Sequence, residues 1–228
     1  MIWAISKLPR NYIGGPKRIM DMESYYTMTP ITDFKVVFIC PDHNEKYHQR
    51  KIHMENMLNK IGFTHIEHYK SSTKDYPDCL SKATIDILEN NLDNPILIVE
   101  DDIEWTGIDS IEYDYTCDAI YLGISHSGGH PTLNIDQGDS KYVKWSTHNV
   151  RVMNMLSAHA ILYLSRSYKE AVITILRAHL GVKYYNDVLM SRIQEKYLVL
   201  ATKKPVFYQS VLFGNDIHVQ NFTNFVIE

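Results

Sequence analysis

Three short apolar runs in the first hundred residues are separated by stretches of helical periodicity, and that alternation limits the chain to few folds. "FKVVFIC" (34–40) is β-branched and stops at Pro41, which suits a buried strand better than a helix. Met54, Met57, Leu58 and Ile61 then recur at helical spacing and end at Gly62, a usual helix terminator. "HIEHY" (65–69) reads as a second strand, and a helix over 79–90 sets Leu80, Ala83, Ile87 and Leu88 on one face. "ILIV" (96–99) is the third strand, and its unbroken aliphatic run makes it a central one. Strands alternating with helices imply right-handed crossovers and a mainly parallel sheet with both faces covered. Further along, 118–125 and 154–165 read as strands. A helix with Tyr168, Val172 and Leu176 on one stripe follows, then a shorter one after "YYND", and "YLVLATKKPVFYQ" closes with a strand. The expected class is α/β, with a mainly parallel central sheet flanked by helices.

The third strand runs straight into Glu100, Asp101 and Asp102. Three adjacent carboxylates repel one another unless a cation or hydrogen-bond donors offset them. In parallel α/β sheets ligands bind beyond the carboxyl ends of the strands, which is where this cluster falls. Three readings compete. Asp101 and Asp102 would cap a turn or helix, but one cap needs only one side chain. A phosphorylation receiver domain also carries "ILIVEDD"-like strands whose acids hold magnesium. Such domains begin with that strand and place the accepting Asp at the end of a later one, whereas this chain has "DQGDSKYVKWSTHN" there. The third reading is a nucleotide-sugar glycosyltransferase of the GT-A fold, whose acidic motif ends a central strand. There a divalent cation, manganese or magnesium, bridges a carboxylate to both phosphates of a nucleoside diphosphate, and hard oxygen ligands suit it. In a continuing strand Glu100 and Asp102 would point the same way and Asp101 to the other face.

Composition narrows the partners. With 45% hydrophobic and 22% charged residues, the chain is neither disordered nor of a membrane class. At 228 residues it suits a single domain, 1–228, with 1–33 an N-terminal extension that the pattern leaves unassigned. The net charge of −4 argues against nucleic acid as a partner. Cys40, Cys79 and Cys117 are odd in number and widely spaced, so they suggest neither a disulfide framework nor a zinc site and fit a reducing, cytoplasmic setting. "MIWAISKLPRNY" is too short an apolar stretch for a signal peptide, and no apolar run is long enough for a membrane span. The Gly-Gly-Pro of "NYIGGPKR" is a turn that lacks the ending of a phosphate-binding P-loop.

Several stretches, in order, resemble glycosyltransferase family 25, the group that includes lipooligosaccharide and procollagen galactosyltransferases. "VVFICPDHNEKYHQRKIHMENMLNKIGF" is similar to the family's opening strand, its Arg and the following helix, and "CLSKATIDILENN" to the helix before the acidic strand, with Ser81-Lys82 where the family has Ser-His. "ILIVEDDIEW" resembles the metal motif, "CDAIYLG" the next strand, and "AHAILYLSRSYKEAV" the segment leading into the acceptor-side helix. "YYNDVLMSRI" resembles the segment carrying a family Asp, and "KPVFYQSVLFGNDI" the closing pattern, with Asn215 in place of Ser.

The resemblance, which covers roughly residues 34–217, implies a GT-A type, Rossmann-like fold and a metal-dependent enzyme. It would transfer a hexose, galactose or glucose, from a nucleoside-diphosphate sugar to a glycan, lipid-linked or protein hydroxyl, with inversion. It implies Asp102, Glu100 and His218 as metal ligands for Mn2+ or Mg2+, and Arg50, Ser81, Glu100 and Asp101 as donor contacts. Asp187 would be the general base, with Asp216 the alternative, because inversion needs one carboxylate to take the acceptor's proton. Plainer roles stand beside these: a solvated surface Arg for Arg50, a helix cap for Asp187, an ordinary packed or surface His for His218. His126 and His130 flank a Ser-Gly-Gly loop where small residues would let a sugar approach, and Trp105 and Trp145 would stack on a sugar or pack in the core. A non-catalytic carbohydrate- or nucleotide-binding relative of the same fold is the alternative.

Overall fold

The computed structural model describes residues 27–213 except 126, 136 and 137. The expectations for His126, Asn215, Asp216, His218 and most of 1–33 lie outside the described residues. The strands are β1 (Thr27–Pro30), β2 (Lys35–Cys40), β3 (Ile66–Lys70), β4 (Ile96–Glu100), β5 (Ile103–Trp105), β6 (Ser110–Tyr113) and β7 (Ala119–Tyr121). They continue as β8 (Ser127–Gly128), β9 (Gly138–Asp139), β10 (Lys141–Lys144), β11 (Asn149–Met153), β12 (Ala160–Tyr163), β13 (Val199–Thr202) and β14 (Phe207–Gln209). The helices are α1 (Glu45–Ile61), α2 (Asp78–Glu89), α3 (Arg166–Ala178) and α4 (Asn186–Gln194).

Eight strands form one sheet in the order β10-β11-β13-β7-β12-β4-β2-β3. Pairing of β2 with β3 and β4, and of β7 with β13, is parallel. Strand β12 runs against β4 and β7, and β11 against β10 and β13. Only those two strands are reversed, so the sheet is mainly parallel in strand direction, as the alternation of elements requires.

Side-chain alternation divides the core into two layers. Val37, Ile39, Ile96 and Ile98 face one side, where α2, α3 and α4 pack through Ile87, Val172 and Leu189. Val36, Phe38, Leu97 and Val99 face the other, against Met54, Met57 and Leu58 of α1. Helix α1 starts at Asn44, whose side chain accepts from the Tyr47 N–H at 3.1 Å, and ends at Gly62 with φ 103°.

The later strands differ from the sequence expectations. Residues 154–165 are not one long strand: Asn154 and Ser157 adopt φ of 58° and 88°, which interrupts extension until Ala160. Strand β7 stops at Tyr121 because the Leu122 carbonyl accepts from Val206 and Phe207 instead, at 2.8 and 3.0 Å. The closing strand is two strands, β13 in the large sheet and β14 paired with β5. Cys40, Cys79 and Cys117 are free and buried. No helix among the described residues is long and apolar enough to cross a membrane.

Candidate active site

Strand β4 ends at Glu100, and the chain turns through Asp101 and Asp102 before β5. Strand alternation therefore does not govern the three carboxylates, contrary to the expectation from a continuing strand. The turn is pinned from the far end of the chain, where β5 pairs with β14 and the Ser210 N–H donates to the Asp102 carbonyl at 2.6 Å. Asp101 accepts from Arg50 Nη1 at 2.8 Å. Arg50 is not a solvated surface residue: only 7% is exposed, its guanidinium lies against the rings of Tyr47 and Phe213, and Nη2 donates to the Phe213 carbonyl at 2.6 Å. Among the described residues, Arg50 Nε, Asp101 Oδ2 and Asp102 Oδ1 are buried without a hydrogen-bond partner. Unsatisfied buried groups of this kind are uncommon and mark a strained or ligand-ready site.

A cavity of about 490 Å³ opens over this turn, and Arg50, Tyr76, Glu100, Asp101, Asp102 and Gln209 line it. Burial pushes the Glu100 carboxyl well above its ordinary range, and the charges of Asp102, Asp187 and Asp101 push it further, with Arg50 pulling back. Asp101 is also raised: burial outweighs the opposing Arg50 charge, and Asp102 adds to it. Burial, then the Asp101 charge, drives up the Cys40 thiol behind them. One guanidinium thus faces more negative charge than it can neutralise.

Asp187 belongs to the same electrostatic group, since its charge reaches Glu100 and Tyr76. It is not the helix cap, which is Tyr185; Asp187 sits in the first turn of α4. Its Oδ2 accepts from the Ser157 N–H at 3.3 Å and its Oδ1 from the Val188 N–H at 2.8 Å. The left-handed conformation of Ser157 belongs to the loop that presents this N–H. The Ser157 hydroxyl meets Nδ1 of buried His159, whose Nε2 lies 3.2 Å from the Phe207 carbonyl. A carbonyl only accepts, so Nε2 carries the proton, and burial lowers the imidazole's affinity for a second one. Nδ1 is then the acceptor for Ser157. The ring's position depends on Gly123, where a Cβ would fall 2.8 Å from the Phe207 carbonyl and closer still to the imidazole.

Tyr76, Ser157 and His159 were missed by sequence reasoning. His159 lies within "AHAILYLSRSYKEAV", where the resemblance gives it no role, and Tyr76 lies in no motif position; their roles arise from loop conformation and from the approach of β14. Other expected residues are placed elsewhere. Ser81 is buried within α2 and does not line the cavity. Trp105 and Trp145 donate to Ile108 and Asp114 at 2.7 and 3.1 Å and are likewise absent from the cavity wall. Gly128 and Gly129 are required by packing, since a Cβ on either would lie within 2.7 Å of Asp139 backbone or the Ser191 hydroxyl. His130 holds a turn by accepting from Thr132 and Leu133. No group of three His, Cys, Asp or Glu side chains among the described residues is placed to hold a metal ion.

No protein-family model matches the chain, and no curated protein matches it by sequence. Among solved structures it is similar to the CTP:phosphocholine cytidylyltransferase from Streptococcus pneumoniae, at 8% identity and TM-score 0.44, over 79% of this chain and 96% of that one. It is also similar to the nucleoside-diphosphate-sugar pyrophosphorylase from Vibrio cholerae RC9, at 10% identity and TM-score 0.39, over 72% and 70% of the two chains.

Proposed function

We propose that this chain is a GT-A type hexosyltransferase, similar to glycosyltransferase family 25, that moves galactose or glucose from a nucleoside diphosphate to a hydroxyl acceptor with inversion. One observation carries the reading: among the described residues, two buried carboxylate oxygens, on Asp101 and Asp102, lack partners beside a cavity where Arg50 is the only buried cation. Such a site favours a ligand that brings positive charge with it, as a metal-bound diphosphate does. Glu100 and Asp102 would hold Mn2+ or Mg2+, with a third ligand from beyond the described residues, for which His218 is the candidate. When bound, the ion supplies charge that neutralises the leaving diphosphate. Arg50 keeps Nε as a donor for a phosphate oxygen, while its pairing with Asp101 fixes the guanidinium.

Asp187 takes the acceptor's proton in this proposal, with Asp216 as the alternative. Backbone N–H groups donate to both oxygens of Asp187, which orients the carboxylate for that role. The test is calorimetry of uridine and guanosine diphosphate with manganese and with chelator. Affinity is expected to rise at least about tenfold with manganese in the native chain, and to lose that dependence in Asp102→Asn. Equal affinity in both conditions would remove the cation from the site. A nucleotide-sugar panel scored for released nucleoside diphosphate then separates an enzyme from a non-catalytic binder, which would hold donor without release.

A further inference from the structure

Tyr76 lines the polar cavity and its ring meets that of Tyr185, a pair that the charged floor does not explain. Tyr76 is 58% exposed and Tyr185 45% exposed, so neither ring has gained the stabilisation that burial of a large aromatic brings. They come from separate elements, Tyr76 from the loop before α2 and Tyr185 from the start of α4, yet their rings meet edge to face with centroids 6.0 Å apart at 64°. An edge-to-face pair covers one face of one ring, so aromatic surface remains open.

The position of the pair is informative. Tyr76 lines the cavity with Glu100, and Tyr185 is two residues before Asp187. Although the ring as a whole is largely exposed, desolvation raises the Tyr76 phenol to about 12, and Glu100, Tyr185 and Asp187 add to the shift. The pair therefore lies among the carboxylates on the side where the proton would be taken.

We propose that Tyr76 and Tyr185 form the acceptor subsite, and that the acceptor is a glycan whose pyranose ring lies against this aromatic surface. The proposal rests on the role given to Asp187 above. A pyranose has a flat face of C–H groups and a rim of hydroxyls. The first matches an aromatic ring and the second the carboxylates beside it, so the hydroxyl to be activated is directed towards Asp187. A serine or threonine side chain has no such flat face. A nucleobase does, and the test distinguishes the two.

The experiment is saturation-transfer NMR with lactose and cellobiose as probes, on native protein and on Tyr76→Ala, Tyr185→Ala, Tyr76→Leu and the two Tyr→Phe variants, with uridine diphosphate affinity measured alongside. Native protein and the Phe variants are expected to bind at least one disaccharide. The Ala and Leu variants should lose about fivefold or more in that affinity, with nucleotide affinity within about twofold. No disaccharide binding to native protein, or native-like binding by the Ala and Leu variants, would overturn the subsite. So would loss of nucleotide affinity with sugar binding intact, since the rings would then serve the base. Because this readout needs no turnover, a chain that binds disaccharide but releases no diphosphate from any nucleotide-sugar refutes the transferase reading and leaves the glycan site standing.

Discussion

Glu100 concentrates the electrostatic conflict of the site in one side chain. Burial raises its carboxyl, and three neighbouring carboxylates raise it further. The folded state therefore binds a proton at pH values where the unfolded chain, with an ordinary glutamate, has lost it. The stability linked to that proton is fully present below the unfolded value of about 4.5 and declines as pH rises through the elevated folded value. Glu100→Gln removes the repelling charge and keeps the size. It is expected to raise the melting temperature by roughly 2 to 4 °C at pH 8, corresponding to about 1 kcal/mol, and by much less at pH 4.5. Thermal unfolding of both proteins across that range checks it. A gap that is independent of pH would mean that packing, not charge, sets the difference. Under the proposed function, manganese-dependent nucleotide binding should fall in the same variant, the result expected where a site trades stability for function.

At the scale of elements, the short segments given the proposed chemistry also feed the core, through Met155 of the loop and Leu189 of α4. The loop 154–159 and the first turn of α4 meet through Ser157 and Asp187, and this contact lets the proposed base be tested apart from folding. Asp187→Asn keeps the size and one acceptor oxygen; turnover is expected to fall about 10² to 10⁴-fold while donor affinity and melting temperature stay near native. Turnover within a few-fold of native would transfer the role to Asp216. A buried anchor holds the other end of the sheet. Lys169 of α3 is fully buried and donates to the carbonyls of Asn91, Leu92 and Asn94, which fixes the chain between α2 and β4. Lys169→Met would leave these carbonyls without their donor and should cost about 2 to 3 kcal/mol, read as a lower urea midpoint with an unchanged slope. Strand and helix period made β2, α2 and β4 legible to within about a residue or two, and for α1 its end at Gly62 but not its start at Glu45. The pattern could not show Lys169, because a lone charge on an apolar stripe looks like a boundary. It also could not show the break at 154–159, because Asn154 and Ser157 do not announce left-handed backbone.

For the whole molecule, the site exists only when segments distant in sequence are brought together. The acidic cluster, its position at the sheet's carboxyl edge and the mainly parallel fold were legible because aliphatic runs and helical spacing are local signals, whereas the turn at Asp101 and Asp102 was not. The arrival of β14 beside β5 was not, since it depends on pairing across about a hundred residues. Arg50 is the tie that makes this assembly cooperative, joining α1 to Asp101 after β4 and to Phe213 near the end of the described chain. Arg50→Ala removes the positive charge and leaves Asp101 buried beside two other carboxylates. The expected cost is about 3 kcal/mol, the lower end for breaking a buried pair because the cavity admits water, or roughly 6 to 12 °C in melting temperature. Asp101→Ala removes a repelling carboxylate but orphans one guanidinium bond, so it should cost less. The double variant removes both members of the pair and is expected to be more stable than Arg50→Ala alone. The three melting curves form a double-mutant cycle, and a coupling energy of about 1 kcal/mol or more is the expected result. Simple additivity would mean that the Phe213 contact and ring packing, not the ion pair, give Arg50 its structural weight. In that case Arg50→Lys, which keeps charge but not the planar contact, should be as damaging as Arg50→Ala.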